Sequence, residues 1–181
     1  MTHLLIISHD VVGERMAGPG IRYWEMARAL AQPLTVTLAT PGTSLPGEGF
    51  DAHTYSPGAW QTLAPAVSRA DVLLFSGDLL MSFPQLAECG KPLIIEATYP
   101  YTFEALQLGA GQSREQQTAG YQARLETMHR AGRAGDFFFC ANDRQRSYWL
   151  GVLDSLGRIN PDTYAADNSF KRFIDIVPIA L

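Results

Sequence analysis

The segment LLIISHD at residues 4–10 decides the fold, because four consecutive apolar residues end abruptly in three polar ones. Three later segments have a similar apolar core, namely DVLLFS at residues 71–76, PLIIE at 92–96 and DFFFCA at 136–141. Strands of a parallel sheet are covered on both faces, so their sequences are continuous apolar runs rather than alternating patterns. We therefore predict a mainly parallel sheet.

Helical patterns separate these apolar runs. The predicted helices cover residues 20–31, 59–69, 78–88, 113–133 and 142–156. Further strands are predicted at 34–40 and 50–55, and loops at 41–49, 98–112 and 159–169. Ser113 opens the longest helix with Gln116 three residues later, which is the capping-box pattern. Strands that alternate with helices form βαβ units, so the sequence predicts a doubly wound α/β domain with helices on both faces of the sheet.

Composition narrows the class of protein. The chain has 181 residues, which suits a single domain with a full hydrophobic core. Its 46% hydrophobic and 18% charged residues are typical of globular proteins, and a net charge of −4 argues against nucleic-acid binding. No apolar run reaches the roughly 18 residues of a membrane helix, and the first run is too short for a signal peptide. We expect a cytoplasmic protein.

The histidines and cysteines do not suggest a metal site, since the four His and two Cys residues lack metal-ligand spacing. Cys89 and Cys140 form no C-x-x-C pair and are expected to be buried, reduced thiols. The G-x-S-x-G motif is absent and no Ser-His-Asp set can be picked out, so no catalytic residue is assigned. We expect neither a metal nor a cofactor.

A glycine-rich segment, GERMAGPGIR at residues 13–22, lies between the first strand and the first helix. Gly18 and Gly20 allow backbone N–H groups to approach a ligand closely, and a helix N-terminus attracts anions. Arg22 is predicted in the first helical turn, where the helix dipole disfavours an unpaired cation. A bound phosphate or carboxylate would resolve this conflict. The alternative is a flexible connection with a solvated Arg22.

Known phosphate-binding motifs do not fit this segment. The G-x-G-x-x-G motif needs a third glycine, but Tyr23 occupies that position after Gly18 and Gly20. An acidic residue should follow the second strand of a dinucleotide site, and TPG at residues 40–42 stands there instead. The G-x-x-x-x-G-K-[ST] motif is absent as well. These mismatches disfavour an NAD-dependent enzyme.

Polar residues after the predicted strands are candidates for a binding site, because ligands of open α/β sheets bind beyond the carboxyl ends of the strands. His9 is a candidate general base or hydrogen-bond donor to a sugar, although a single histidine is more often structural. Asp78 and Asn142 have an alternative role as helix caps. The candidates of this kind are His9, Asp78, Glu96, Tyr99, Asn142 and Arg144.

Several segments resemble family 4 glycosyltransferases of the GT-B fold. GPGIRYWEMA at residues 18–27 is similar to the segment after their first strand. PLIIEATYP at 92–100 resembles a stretch in which relatives often have Asp-Leu-Tyr-Asp-Pro. FFCANDRQR at 138–146, with WLG at 149–151, resembles their strand–helix unit with a Ser/Asn-x-x-Gln-Arg pattern. IVPIAL at 176–181 resembles the Val-Pro-Phe-Gly segment that leads into their second domain.

The resemblance implies one half of an enzyme with two Rossmann-like domains and a cleft between them. This chain would be the N-terminal domain, which binds the acceptor, without the C-terminal domain that holds most of the nucleotide-sugar. Transfer would be retaining, would rest on positioning and on electrostatic support of the leaving diphosphate, and would not occur in the isolated piece. The implied partners are a nucleotide-sugar donor, a sugar or lipid-linked acceptor and the C-terminal domain, with peripheral contact to a membrane.

The same resemblance suggests which residues line the cleft. They fall into three groups: Gly18, Gly20 and Arg22 toward the donor phosphates; His9, Glu96 and Tyr99 toward the acceptor; and Asp78, Asn142 and Arg144 elsewhere in the cleft. The sequence also departs from the family. Glu96 stands where relatives have Asp, and Thr98 stands near the position where some others have a functional His.

Two other interpretations remain open. The chain could be a stand-alone binding module of flavodoxin-like or Rossmann-like topology, which is favoured if the gene ends at Leu181 and the apolar segment at residues 176–181 pairs within the sheet. A continuation of the chain would explain that segment equally well. The other interpretation is a different enzyme, such as an NAD-dependent one, which the missing glycine and acidic residue disfavour.

Overall fold

The computed structural model describes residues 1–42 and 48–179. Within them, seven strands form one parallel sheet in the order β3-β2-β1-β4-β5-β6-β7. The strands are β1 (His3–Ile7), β2 (Thr35–Pro41), β3 (Asp51–Tyr55), β4 (Val72–Ser76), β5 (Leu93–Glu96), β6 (Phe137–Cys140) and β7 (Ile174–Ile176). The predicted doubly wound α/β fold is thus confirmed, and its sheet is parallel throughout.

The strand order reverses direction at β1. β2 and β3 lie on one side of this strand and β4 on the other, so that Leu5 lies between Thr37 and Leu73. This is the order of Rossmann-like sheets, which bind ligands at the switch point, outside the carboxyl ends of the diverging strands. The residues after β1 and β4 therefore occupy the position at which such sheets bind ligands.

The main predicted helices are present, with small shifts at their ends. The helices of the structure, predicted or not, are α1 (Gly18–Leu30), α2 (Trp60–Arg69), α3 (Leu79–Ser82), α4 (Tyr101–Leu108), α5 (Arg114–Ala134), α6 (Asp143–Ser155) and α7 (Pro161–Ala166), with a 3-10 helix at Pro84–Glu88. The predicted helices that recur with small shifts are α1, α2, α5 and α6. The capping box of α5 is confirmed, because Ser113 Oγ accepts from the N–H of Gln116 at 3.3 Å and Gln116 Oε1 accepts from the N–H of Ser113 at 3.1 Å.

Three predicted elements were wrong. The helix predicted at residues 78–88 is broken at Phe83, whose φ of −136° and ψ of 74° reflect the restriction on a residue before proline. The predicted loop at 98–112 contains α4, since Pro100 and Gly109 bound a helix there rather than a loop. The predicted loop at 159–169 contains α7, because Asn160 caps a helix instead of starting a turn. Residues 43–47 of the predicted loop at 41–49 lie outside the described residues.

The chain divides into two compact units, Met1–Ile94 and Ile95–Leu181. The first has its core on β1 and β4, where Leu5, Ile6 and Phe75 are fully buried. Burying each such side chain contributes about 1.5–3 kcal/mol. The second unit has an aromatic core, in which Phe138 stacks on Trp149 with ring centroids 6.2 Å apart. The prediction of one domain over residues 1–181 stays a prediction.

The apolar segment at residues 176–181 begins in an edge strand. β7 pairs in parallel with β6, and the N–H of Val177 donates to Cys140 O at 2.8 Å. Arg146 fixes this edge, since its Nε donates to Ile174 O at 2.9 Å and its terminal nitrogen donates to Ser169 O. Pairing within the sheet is one of the two outcomes expected for this apolar segment, the other being a continuation of the chain. Residues 180–181 of the segment lie outside the described residues.

Candidate binding site at the carboxyl ends of β1 and β4

Buried side chains hold the turn after β1 in place. Ser8 is fully buried, its Oγ donates to Asp10 O at 2.7 Å, and its carbonyl accepts from Tyr55 Oη at 2.7 Å. Thr40 Oγ1 accepts from the N–H of Val12 at 3.0 Å. Burial raises the pKa of the Tyr55 phenol, so this donor stays protonated. Ser8, Thr40 and Tyr55 therefore support the turn and are not available to a ligand.

His9 and Ser76 meet across the switch point. Ile7 lies in register with Phe75, so the residues that follow β1 and β4 are side by side. The Oγ of the fully buried Ser76 lies 3.2 Å from His9 Nδ1, and the His9 ring meets the Tyr23 ring edge-on at a centroid distance of 6.2 Å. The half-buried imidazole is thus held by Ser76 and Tyr23, and its tautomer decides whether Nδ1 donates to Ser76 Oγ or accepts from it.

Asp78 follows the same strand after the buried Gly77. It stands at the N-cap position of α3, but it makes no side-chain cap hydrogen bond there. Asp78 therefore occupies the cap position that its alternative role predicted, but its side chain does not make the capping hydrogen bond. Asp78 is half-buried beside the switch point.

The glycine segment is divided between a loop and a helix. α1 begins at Gly18, two residues earlier than predicted, so Arg22 lies beyond the first turn rather than within it. Gly18 is exposed, with no heavy atom within 4 Å of the position of a Cβ. Gly20 is buried, and a Cβ there would lie 2.6 Å from Val11 O and 2.9 Å from Met16 Cβ. Gly20 thus serves close packing, while Gly18 and the half-buried Arg22 remain positioned near the surface.

The other predicted site residues belong to the unit Ile95–Leu181. Glu96 ends β5 and is only 1% exposed, and Thr98 Oγ1 donates to Glu96 Oε1 at 3.1 Å. Tyr99 is half-buried and lies near Tyr101, with ring centroids 6.2 Å apart. The carboxyl of Glu96 is thus enclosed by protein, whereas Tyr99 is less deeply buried.

Gln145 joins the segments that follow β5 and β6, a role that sequence reasoning did not identify. Its Nε2 donates to Thr98 O at 2.9 Å, and its Oε1 accepts from the N–H of Ala141 at 2.7 Å. Asn142 Oδ1 accepts from the N–H of Gln145 at 3.0 Å, so Asn142 caps α6 as its alternative role predicted. Arg144 is exposed on the first turn of this helix. The position of Gln145 three residues after the cap was the available sequence signal.

The described residues also bear on metal binding, thiol reactivity and membrane insertion. Within them, no group of three or more His, Cys, Asp and Glu side chains is arranged to hold a metal ion. Cys89 and Cys140 are free thiols, and burial raises the pKa of Cys140, which disfavours the reactive thiolate. Among the same residues, no helix combines the length and apolar character needed to cross a membrane.

No protein-family model matches the chain, and no curated protein matches it in sequence. Solved structures do match its fold. A short-chain dehydrogenase/reductase from Veillonella parvula DSM 2008, in complex with NADP, has 13% identity and a TM-score of 0.52, over 96% of this chain and 92% of that protein.

Two plant glycosyltransferases match equally well. UGT2 of Phytolacca americana, complexed with UDP-2-fluoro-glucose and pterostilbene, has 10% identity and a TM-score of 0.53, over 99% of this chain and 54% of that protein. UGT73P12 of Glycyrrhiza uralensis, complexed with glycyrrhetinic acid 3-O-monoglucuronide, has 10% identity and a TM-score of 0.52. This match covers 95% of this chain and 51% of that protein. The chain thus spans about half the length of both plant proteins. At these identities the similarity establishes a Rossmann-like α/β fold shared with glycosyltransferase domains and dehydrogenases.

Proposed function

We propose that this chain is the N-terminal, acceptor-binding domain of a retaining glycosyltransferase that resembles family 4. The observation that carries the proposal is the contact between His9 Nδ1 and Ser76 Oγ, 3.2 Å apart at the switch point of the sheet. A ring fixed in this way can hydrogen-bond an entering hydroxyl group or accept its proton. A sugar acceptor presents such a hydroxyl group to the donor. The match to about half of two glycosyltransferases is consistent with a domain of such an enzyme.

The start of α1 fits a role near the donor phosphates. Its N-cap residue, Ala17, makes no side-chain cap hydrogen bond, and Gly18 is open to the surface. Backbone N–H groups at an uncapped helix start favour an anion. Arg22, one turn further along, adds a positive charge. In the proposed enzyme Gly18 and Arg22 face the diphosphate, the C-terminal domain supplies the remaining contacts, and Asp78 faces the same cleft.

A lipid-linked acceptor is the finer part of the proposal. α4 exposes three apolar side chains, Phe103, Leu106 and Leu108, which are 61%, 52% and 74% accessible. Arg114, at the start of α5, lines a surface hollow together with Leu106. Apolar side chains beside a cation suit the interface of an anionic membrane. Peripheral contact of α4 with a membrane is the corresponding expectation.

NMR titration of the isotopically labelled 181-residue chain tests the proposal. We expect methyl glycosides to shift the amide signals of His9 and Gly77. In a separate titration, anionic lipid micelles should shift those of Leu106 and Leu108. His9→Ala should weaken glycoside binding by about tenfold, which corresponds to one hydrogen bond. His129→Ala, on α5, is the matched control and should not change binding.

The donor and the dehydrogenase alternative are tested in the same titration. UDP-glucose should bind only weakly, because most donor contacts are proposed to lie in the C-terminal domain. NADP should leave the spectrum unchanged, since Tyr23 replaces the third glycine and an acidic residue is missing after β2. Low-micromolar binding of UDP-glucose would contradict the acceptor-side assignment, and saturable NADP binding would contradict the transferase. A natural reading frame that stops at Leu181 would contradict the two-domain enzyme.

Retention of anomeric configuration rests on the family resemblance. The full-length enzyme should give a product with the anomeric configuration of its donor. The proton coupling at the anomeric carbon of the product measures this directly. An inverted product would contradict the proposed resemblance to family 4. The proposed acceptor-binding role would then be tested by the glycoside titration alone.

A further inference from the structure

A small aromatic cavity lies within the unit Ile95–Leu181. Its volume is about 180 Å³, and its apolar lining consists of Pro100, Phe103, Tyr148 and Trp149. An apolar cavity of about 150 Å³ is large enough to bind benzene. This cavity therefore has room for one six-membered ring with a small substituent.

The walls of the cavity are fixed by contacts within the same unit. Tyr148 Oη donates to Met128 Sδ at 3.1 Å, and the Tyr148 ring lies 5.8 Å from the Phe103 ring and 6.3 Å from the Trp149 ring. Gln145, which also lines the cavity, binds Thr98 O through its Nε2. Aromatic walls held in this way lose little conformational freedom when a ligand binds.

The polar lining groups favour an aromatic ring over a sugar. Both ends of the Gln145 amide are engaged, by Thr98 O and by the N–H of Ala141. The Thr98 hydroxyl donates to Glu96 Oε1. A sugar would bring several hydroxyl groups to a mainly apolar site whose neutral polar side chains already have partners, so it would gain few hydrogen bonds there. An aromatic ring does not require them.

Arg144 defines the substituent of the ring, and Trp149 forms part of the wall. Arg144 is the one charged residue among the described lining residues, and a guanidinium pairs well with a carboxylate. Trp149 is fully buried, and its indole N–H has no hydrogen-bond partner within the described part of the chain. Buried indole N–H groups usually have one. Because this nitrogen is itself shielded from solvent, its NMR signal reports binding through the surroundings of the ring rather than through a hydrogen bond to the ligand.

We propose that this cavity binds a small aromatic carboxylate, with its ring against Phe103, Tyr148 and Trp149 and its carboxylate paired with Arg144. All the residues that carry this inference belong to one unit. It does not depend on the proposed transferase function, and binding requires no donor.

Titration with benzoate, followed through the indole N–H signals in NMR spectra, tests the site. Trp149→Phe identifies the Trp149 signal among those of the three tryptophans. We expect a saturable shift of this signal with a Kd of about 1 mM, which is typical of a ligand this small. Arg144→Ala should weaken binding about fivefold, since the pair is solvent-exposed, and neutral benzamide should be weaker than benzoate by a similar factor.

Two exposed positions keep the test independent of folding. Phe103→Ala removes one wall from a side chain that is 61% accessible and should also weaken benzoate binding. Arg133→Ala, at the exposed end of α5, removes an equal charge away from the cavity and should leave the Kd unchanged. The proposal is wrong if benzoate causes no saturable shift of the Trp149 signal. Equal affinity in Arg144→Ala, or tighter binding of methyl glucoside than of benzoate, would also overturn it.

Discussion

Gly18 and Gly20 are separated by one residue in the first turn of α1, yet their surroundings differ. A Cβ at Gly20 would lie 2.6 Å from Val11 O, which is a backbone atom and cannot rotate away. We expect Gly20→Ala to lower the free energy of unfolding by about 1–3 kcal/mol, as overpacking of a tight contact does. Urea denaturation followed by circular dichroism measures the difference.

Gly18→Ala is the matched control for this prediction. No heavy atom lies within 4 Å of a Cβ at Gly18, and the residue is already helical. Alanine should therefore be neutral or stabilise the helix by up to about 1 kcal/mol. If both variants lose the same stability, close packing is not the reason for Gly20.

At the residue scale, the sequence identified the glycine segment but did not separate its members. Both glycines fitted one anion-binding segment, because a glycine pattern only indicates where the backbone is permissive. The distance from Gly20 to Val11 O depends on how the loop folds back onto α1. Ser76 went unselected for a similar reason, since its contact with His9 spans 67 positions of sequence.

At the element scale, Arg146 connects α6 to the edge strand β7. Its guanidinium donates to the backbone carbonyls of Ile174 and Ser169. Substituting Arg146 therefore removes the donor and leaves both acceptors in place. We expect Arg146→Ala to increase amide hydrogen exchange in residues 168–179 by tenfold or more, since charge-assisted hydrogen bonds contribute about 1.5–3 kcal/mol. Hydrogen-exchange mass spectrometry of that peptide measures the change.

Arg144→Ala is the control on the same helix. Arg144 is exposed and does not contact β7 in any described hydrogen bond, so its removal should leave exchange in residues 168–179 unchanged. Unchanged exchange in Arg146→Ala would mean that pairing with β6 alone holds β7 in place.

Elements with strong local signals were predictable. The continuous apolar runs predicted the parallel strands, and the pair Ser113 and Gln116 predicted the start of α5. α4 and α7 were missed because proline, glycine and asparagine at their ends are common to helix caps and to loops. Such short helices depend on packing more than on intrinsic propensity.

At the scale of the whole molecule, Tyr55 couples stability to pH. Burial raises the pKa of its phenol above the usual 10.0, and its hydroxyl donates to Ser8 O. The neutral form favours the folded state, so this contribution is complete below about pH 10 and is lost as the unfolded chain ionises above it. We expect the free energy of unfolding to fall more steeply above about pH 10 in the wild type than in Tyr55→Phe.

Urea denaturation at a series of pH values measures these slopes. Tyr55→Phe should also cost about 1 kcal/mol near neutral pH, because Ser8 O loses its buried donor. Tyr164→Phe alters an exposed tyrosine, 58% accessible, and should keep the wild-type slope. Identical slopes in wild type and Tyr55→Phe would show that the phenol does not link folding to pH.

The sequence by itself determined the classes of element in this protein: parallel strands from unbroken apolar runs, and helices from periodicity and caps. These signals act over a few residues and so can be read locally. Only the tertiary structure decided the strand order, the contact of His9 with Ser76, the tight approach at Gly20 and the aromatic cavity around Trp149. Those features join residues far apart in the chain, and their energies arise from packing that exists only once the sheet has formed.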